Sequence, residues 1–239
     1  DNLFKGSVWD SLELFKKLCS TLELYPLNWS IVNPTQLEGN KTIAYEICEQ
    51  MKWKVPDRVC APVGTGDNLA GEWKGFTEFQ KLGFVESLPS MIGVQADRAS
   101  PLAASFRQGA ARVQPIADPQ TLALGIMTRL SGTHALRAVR ESKGTVETVT
   151  DQEILEAEGM LARTEGIFVE PSSAAAVAGV KKLAEMGEIG PDEKVVCVVT
   201  GFGLKDPDAV IQGRGHLPRV ANVLSEIEPV VRSIISRTN

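Results

Sequence analysis

The segment Cys60-Ala61-Pro62-Val63-Gly64-Thr65-Gly66-Asp67-Asn68-Leu69 constrains the fold more than any other part of the chain. The apolar run that ends at Val63 predicts a strand buried on both faces. A Gly-x-Gly turn follows at once, and helical spacing begins near Asn68. So short a turn from strand to helix leaves the first N–H groups of the helix without acceptors. They converge at the positive end of the helix dipole, which makes the turn a site for an anion, and first of all for a phosphate.

The remaining chain alternates in the same way. Helical spacing runs over residues 8–24 and from Glu38 to Met51, with Ile43, Ala44, Ile47, Cys48 and Met51 on one face. Trp29 to Val32 and Arg58 to Val63 read as strands, and the helix after the glycine turn runs to about Leu82. Met91 to Ala96 gives a further strand, Pro101 to Gln108 a helix, and Val113 to Ile116 a short strand. Residues 117–131 carry no readable periodicity. Gly132 to Ser142 is helical and Thr145 to Val149 extended. Thr150-Asp151-Gln152-Glu153 has the form of a capping box opening a helix to about Arg163. Ile167 to Val169 is a short strand, and Pro171 suits the first turn of an Ala-rich helix ending near Gly187. Val195 to Val199, apolar throughout, is expected in the centre of the sheet, and a last helix spans about Val220 to Ser236. The expected fold is α/β, an open and mostly parallel sheet with helices on both faces. Ligands of such sheets sit at the carboxyl ends of the strands. Gly64–Asn68 and Thr200-Gly201-Phe202-Gly203 both follow strands, so they are expected to share one site.

Composition removes several functions. A net charge of −5 with interspersed signs and no basic stripe argues against nucleic acid. No apolar run reaches the roughly 18 residues of a membrane span. Four cysteines without C-x-x-C spacing read as reduced, packed thiols of a cytoplasmic protein. Two histidines, His134 and His216, make a zinc site improbable. Two familiar phosphate loops also fail. Gly66 and Gly71 have P-loop spacing, but Glu72 and Trp73 follow where Lys and Ser or Thr are needed. A dinucleotide fingerprint needs glycine where Leu69 stands.

The wider pattern is more specific. Asn33-Pro34-x-x-Leu37-Glu38-Gly39-x-Lys41-Thr42, Pro62-Val63-Gly64, Asn68, Trp73-Lys74-Gly75-Phe76, Glu170-Pro171-Ser172-Ser173-Ala174 and Thr200-Gly201-x-Gly203-Leu204-Lys205-Asp206 occur in order over about residues 28–210. Together they resemble threonine synthase, of the fold-type II (tryptophan synthase β-like) pyridoxal-phosphate enzymes. The resemblance implies that Gly64, Thr65, Gly66, Asp67 and Asn68 hold the 5′-phosphate of pyridoxal 5′-phosphate through backbone N–H groups. It implies that Thr200 offers its hydroxyl to the pyridine nitrogen, a neutral contact that leaves the ring largely unprotonated. It places residues 1–27 at the end of the small domain and residues 28–239 in the large cofactor domain. It also implies a small amino-acid substrate, β- or γ-replacement or elimination chemistry, and a homodimer.

Two departures shape the expectation. The family's Schiff-base lysine lies in an N-terminal portion preceding everything matched here, and Lys41, Lys74 and Lys205 belong to other motifs. No catalytic residue is therefore assigned in this chain, which resembles the C-terminal part of the enzyme and is expected to be inactive alone. In threonine synthases a segment Asn-Ser-x-Asn-Pro-x-Arg grips the substrate phosphate. Here Ser30-Ile31-Val32-Asn33-Pro34-Thr35-Gln36 leaves Asn33 and Gln36 as the substrate-contact candidates. A neutral amide at Gln36 does not replace a guanidinium fork. A cysteate synthase-like enzyme using phosphoserine, and a non-catalytic phosphate-ligand domain or truncated fragment, are the alternatives. Asp67 is a third departure: a carboxylate about 4 Å from a phosphate costs on the order of 4 kcal/mol. It must turn away, and a left-handed conformation at Asp67 would add strain.

Overall fold

The structure is a computed structural model that describes residues 8–27, 31–207, 225, 227–230 and 232–233. Residues 1–205 form one compact unit and residues 206–239 a second. In the second unit the described residues from 225 to 233 are helical, with Arg232 paired to Glu228 at 2.7 Å.

The first unit is built on four parallel strands, β1 (Arg58–Pro62), β2 (Ser90–Ala96), β3 (Thr145–Val149) and β4 (Val195–Cys197), in the order β3-β2-β1-β4. Among the described residues seven α-helices accompany them: α1 (Val8–Thr21), α2 (Leu37–Gln50), α3 (Asp67–Lys81), α4 (Pro101–Arg107), α5 (Thr133–Glu141), α6 (Asp151–Thr164) and α7 (Pro171–Glu185). The two-residue period of the strands sorts their side chains to opposite faces. Val59, Ala61, Val63 and Met91 pack with α2, α3 and α5 on one side. Cys60, Ile92, Val94 and Ala96 pack with α6 and α7 on the other. The doubly covered, mostly parallel sheet expected from the sequence is present.

Some elements differ from expectation. Val195–Val199 was expected to be central, yet β4 pairs only with β1 among the described residues and so lies at the sheet edge. Its apolar run reflects partial burial on two faces: Val196 and Val198 pack on one cluster, Val195 and Cys197 on the other, while Val199 is exposed. Of the expected strand Trp29–Val32, Trp29 and Ser30 lie outside the described residues, and Ile31 and Val32 form a turn. Val113–Ile116 is not a strand; Ile116 N–H donates to Arg129 O at 2.8 Å and Ile116 O accepts from Arg129 Nε at 3.3 Å, contacts between loops. Ile167–Val169 reduces to one antiparallel bridge, Val169 with Phe202. Most of the expected last helix lies outside the described residues.

Helices α2 and α3 cross closely because two glycines leave room. A Cβ at Gly71 would sit 2.5 Å from the Asn40 Cβ, and one at Gly75 would sit 2.7 Å from Lys41 O. A charged network closes the same seam. Lys41 Nζ lies 2.6 Å from Glu38 and 2.7 Å from Glu78, Lys74 also pairs with Glu38, and Tyr45 donates to Glu78 at 2.7 Å. The Glu38 and Glu78 carboxylates raise the Lys41 ammonium above its usual range.

One buried carboxyl works against this packing. Glu72 in α3 is fully buried, and neither of its oxygens has a hydrogen-bond partner. Loss of water raises its pKa from 4.5 to about 8. The folded state therefore keeps a proton that the unfolded chain releases near pH 4.5. By linkage, the stability is present in full below pH 4.5 and is lost as pH rises through about 8, on the order of 4 kcal/mol in all. Glu72→Gln, neutral at every pH, is expected to flatten the fall in thermal unfolding temperature between pH 5 and about pH 8, measured by circular dichroism. The capping box is also formed: Thr150 Oγ1 accepts from Glu153 N–H at 3.2 Å, and Glu153 accepts from Thr150 N–H at 2.6 Å. Thr150→Ala is expected to cost about 1 kcal/mol in a denaturant titration.

Candidate functional site

A cavity of about 220 Å³ lies at the carboxyl ends of β1 and β4, where the sequence places both glycine turns. Its floor is Gly64, Thr65, Gly66, Asp67 and Asn68, and Thr200 stands on its wall. All six cofactor candidates are therefore brought together.

The floor is shaped by what its carbonyls are bound to. Val63 O accepts from Gln95 Nε2 at 3.1 Å, Gly64 O from the Ser131 hydroxyl at 2.6 Å, and Thr65 O from Gly132 N–H at 2.7 Å. In a planar trans peptide the N–H points opposite to the carbonyl. Fixing three successive carbonyls toward the protein therefore turns the N–H groups of Gly64, Thr65 and Gly66 the other way. Among the described residues, the N–H groups of Thr65, Gly66 and Asn68 have no acceptor. Gln95 is itself fully buried and satisfied: its Oε1 accepts from Leu102 and Ala103 N–H at 2.9 and 3.0 Å, and its Nε2 also reaches Ser131 Oγ at 3.2 Å.

The turn conformation is carried by Gly66, at φ 92°. A Cβ there would collide with the Ala135 methyl, so glycine is required on two counts. At Gly64 a Cβ would lie 2.9 Å from Gly125 O. Asp67 does not take the left-handed conformation; it is the first residue of α3. Its carboxylate Oδ1 lies 3.5 Å from His134 Nε2 on α5. That contact gives the acidic side chain a neighbour other than an anion in the cup.

The rest of the wall comes from the heads of two helices and a loop. Gln36 and Asn40 face the cavity from the start of α2, and Gln36 Oε1 is buried without a partner. Asn33 is not part of the wall: its Oδ1 accepts from Thr35 N–H and from the Tyr25 hydroxyl, both at 3.1 Å. Glu170 and Ser172 come from the start of α7, and Ser172 Oγ accepts from Gly125 N–H at 2.9 Å. The charged wall side chains, Asp67 and Glu170, are both acidic. Lys205 pairs with Glu170 at 2.9 Å, while Lys41 and Lys74 belong to the α2–α3 network.

Several of these roles have no motif. Gln95 sits as the one polar residue in the apolar run Met91–Ala96, a signal of a buried hydrogen-bonding task. Ser131, Gly132 and Gly125 fall in or beside the stretch whose sequence shows no periodicity.

Comparison with known proteins agrees with the geometry. The family described as pyridoxal-phosphate dependent enzyme matches residues 3–201. The chain is 49% identical over 210 residues to threonine synthase of Methanocaldococcus jannaschii, covering 87% of this chain and 51% of that protein. It is 39% identical over 227 residues to threonine synthase of Mycobacterium bovis, covering 94% and 59%. Among solved structures, the processed form of threonine deaminase isoform 2 from Solanum lycopersicum aligns with a TM-score of 0.68 at 23% identity, covering 82% of this chain and 54% of that one. The chain thus spans a little over half the length of the curated relatives it matches. Its resemblance to threonine synthase extends across most of its residues. The chain belongs to the pyridoxal-phosphate dependent enzyme family.

Proposed function

We propose that this chain supplies the phosphate cup and the ring-nitrogen contact of a threonine synthase-like pyridoxal-phosphate enzyme. The reaction is β- or γ-replacement or elimination on a small amino acid. The observation that carries the reading is the row of N–H groups at Gly64, Thr65 and Gly66, turned away from the bound carbonyls before them, beside a cavity that also holds Thr200. Backbone donors at a helix N-terminus suit a phosphate group. When bound, pyridoxal phosphate would supply an electron sink for carbanion chemistry. The chain's own part is to grip the phosphate at Gly64–Asn68 and to set Thr200 against the pyridine nitrogen. A neutral hydroxyl there favours an unprotonated ring.

Substrate contact falls to Gln36 and Asn40. Amide groups at this wall hold a polar substituent by neutral hydrogen bonds and offer a phosphorylated leaving group no guanidinium fork. Covalent attachment of the cofactor is assigned to none of Lys41, Lys74 and Lys205, each of which is already ion-paired to a carboxylate. The attachment lysine belongs, on this reading, to another portion of the enzyme.

Titration of the chain with pyridoxal phosphate, followed by borohydride reduction and peptide mapping, tests this. Reversible binding in competition with inorganic phosphate, and no stoichiometric lysine adduct, is the expected result. A stoichiometric adduct on one lysine would overturn the assignment of attachment elsewhere, and absence of any binding would overturn the cup. Gly66→Ala is expected to weaken both ligands by at least about tenfold and to lower stability by about 1–3 kcal/mol, from strain at φ 92° and the clash with Ala135.

A further inference from the structure

Thr200 does not stand alone at the ring end of the cavity. Its Oγ1 lies 2.9 Å from the Ser173 hydroxyl, and Ser173, on α7, is fully buried. Ser173 Oγ also accepts from Gly201 N–H at 2.5 Å and lies 3.1 Å from Gly201 O. A serine hydroxyl has one proton to give. It can go to Gly201 O or to Thr200 Oγ1, and the choice decides what Thr200 can do. If Ser173 gives its proton to Gly201 O, the Thr200 proton is drawn to Ser173 and Thr200 faces the cavity as an acceptor. If Ser173 gives its proton to Thr200, the Thr200 proton is released toward the cavity.

Gly201 O already accepts from Glu170 N–H at 3.0 Å, so it does not depend on Ser173. The contact to Thr200 is also the shorter of the two. We propose that Ser173 is a positioning residue: it donates to Thr200 Oγ1, fixes that side chain's rotamer, and leaves the Thr200 proton directed into the cavity as a donor. This rests on the cofactor reading above, because the acceptor it serves is the unprotonated pyridine nitrogen. The pairing gives the site its preference for a ring that accepts rather than donates. Among the described residues neither hydroxyl is bonded to a charged side chain.

A double-mutant cycle on the 239-residue chain tests it, with Ser173→Ala, Thr200→Val and the pair together. Equilibrium affinities for pyridoxal phosphate and for inorganic phosphate are measured on each by fluorescence. Ser173→Ala and Thr200→Val are each expected to weaken pyridoxal phosphate about threefold to tenfold and to leave inorganic phosphate unchanged. The double variant is expected to be no weaker than Thr200→Val alone, because Ser173 acts through that hydroxyl. Additive losses, or equal losses for both ligands, would show a merely structural role and overturn the inference. Should Ser173→Ala fail to fold, Ser173→Cys, which keeps the side-chain shape with a weaker donor, carries the same comparison. A wild-type chain that binds inorganic phosphate but not pyridoxal phosphate would overturn the cofactor reading and this inference with it. Pyridoxal phosphate affinity that is unchanged in Ser173→Ala would overturn the positioning role alone.

Discussion

Three carbonyl groups hold this site together. Val63, Gly64 and Thr65 each have their oxygen bound on the protein side, by Gln95, Ser131 and Gly132. Peptide planarity then dictates where the following N–H groups point. The cup proposed for the phosphate is the far side of an ordinary set of internal hydrogen bonds. Its donors are fixed before any ligand arrives, and they cost no rearrangement when one does. Helix α3 begins at the same turn, so its dipole adds to the same spot. Gly66 is the residue that lets the chain turn from one arrangement into the other.

Much of this was legible in the residues. The strands β1, β2 and β3, the helices α2 to α7 and the parallel order follow from period-2 and period-3.6 patterns and from glycine and proline punctuation. The capping box at Thr150 and the proline at the head of α7 fixed two helix starts to within a residue. The turn itself was readable because a strand, two glycines and a helix start are contiguous. The position of Val195–Val199 was not, because partial burial on two faces of an edge strand and centrality in a sheet leave the same apolar run. The supporting shell was not legible either. Ser131 and Gly132 each bind a backbone carbonyl 67 positions away, a relation that no local pattern can encode. Gln95 left the best clue, a lone amide inside a strand with no exposure.

The amide-bearing part of the wall shows how far motif matching carries and where it stops. Asn33 matches the family pattern, yet its side chain is spent on Thr35 and Tyr25, where it organises the turn ahead of α2. Gln36 departs from the pattern and does reach the cavity. Asn40 belongs to no quoted match, and it lines the cavity because Gly71 lets α2 approach α3 so closely. Position in space, set by helix packing, decides which of these amides faces a ligand.

That packing has a mechanical side. Gln36 and Asn40 ride at the head of α2, and the cup is the head of α3. The two helices are locked by backbone contact at Gly71 and Gly75 and by the Lys41 bridge between Glu38 and Glu78. Wall and floor are therefore carried by one packed pair of helices. In the proposed enzyme, amides and cup carried on one helix pair set a fixed spacing between them, a ruler for the length of the molecule they would hold.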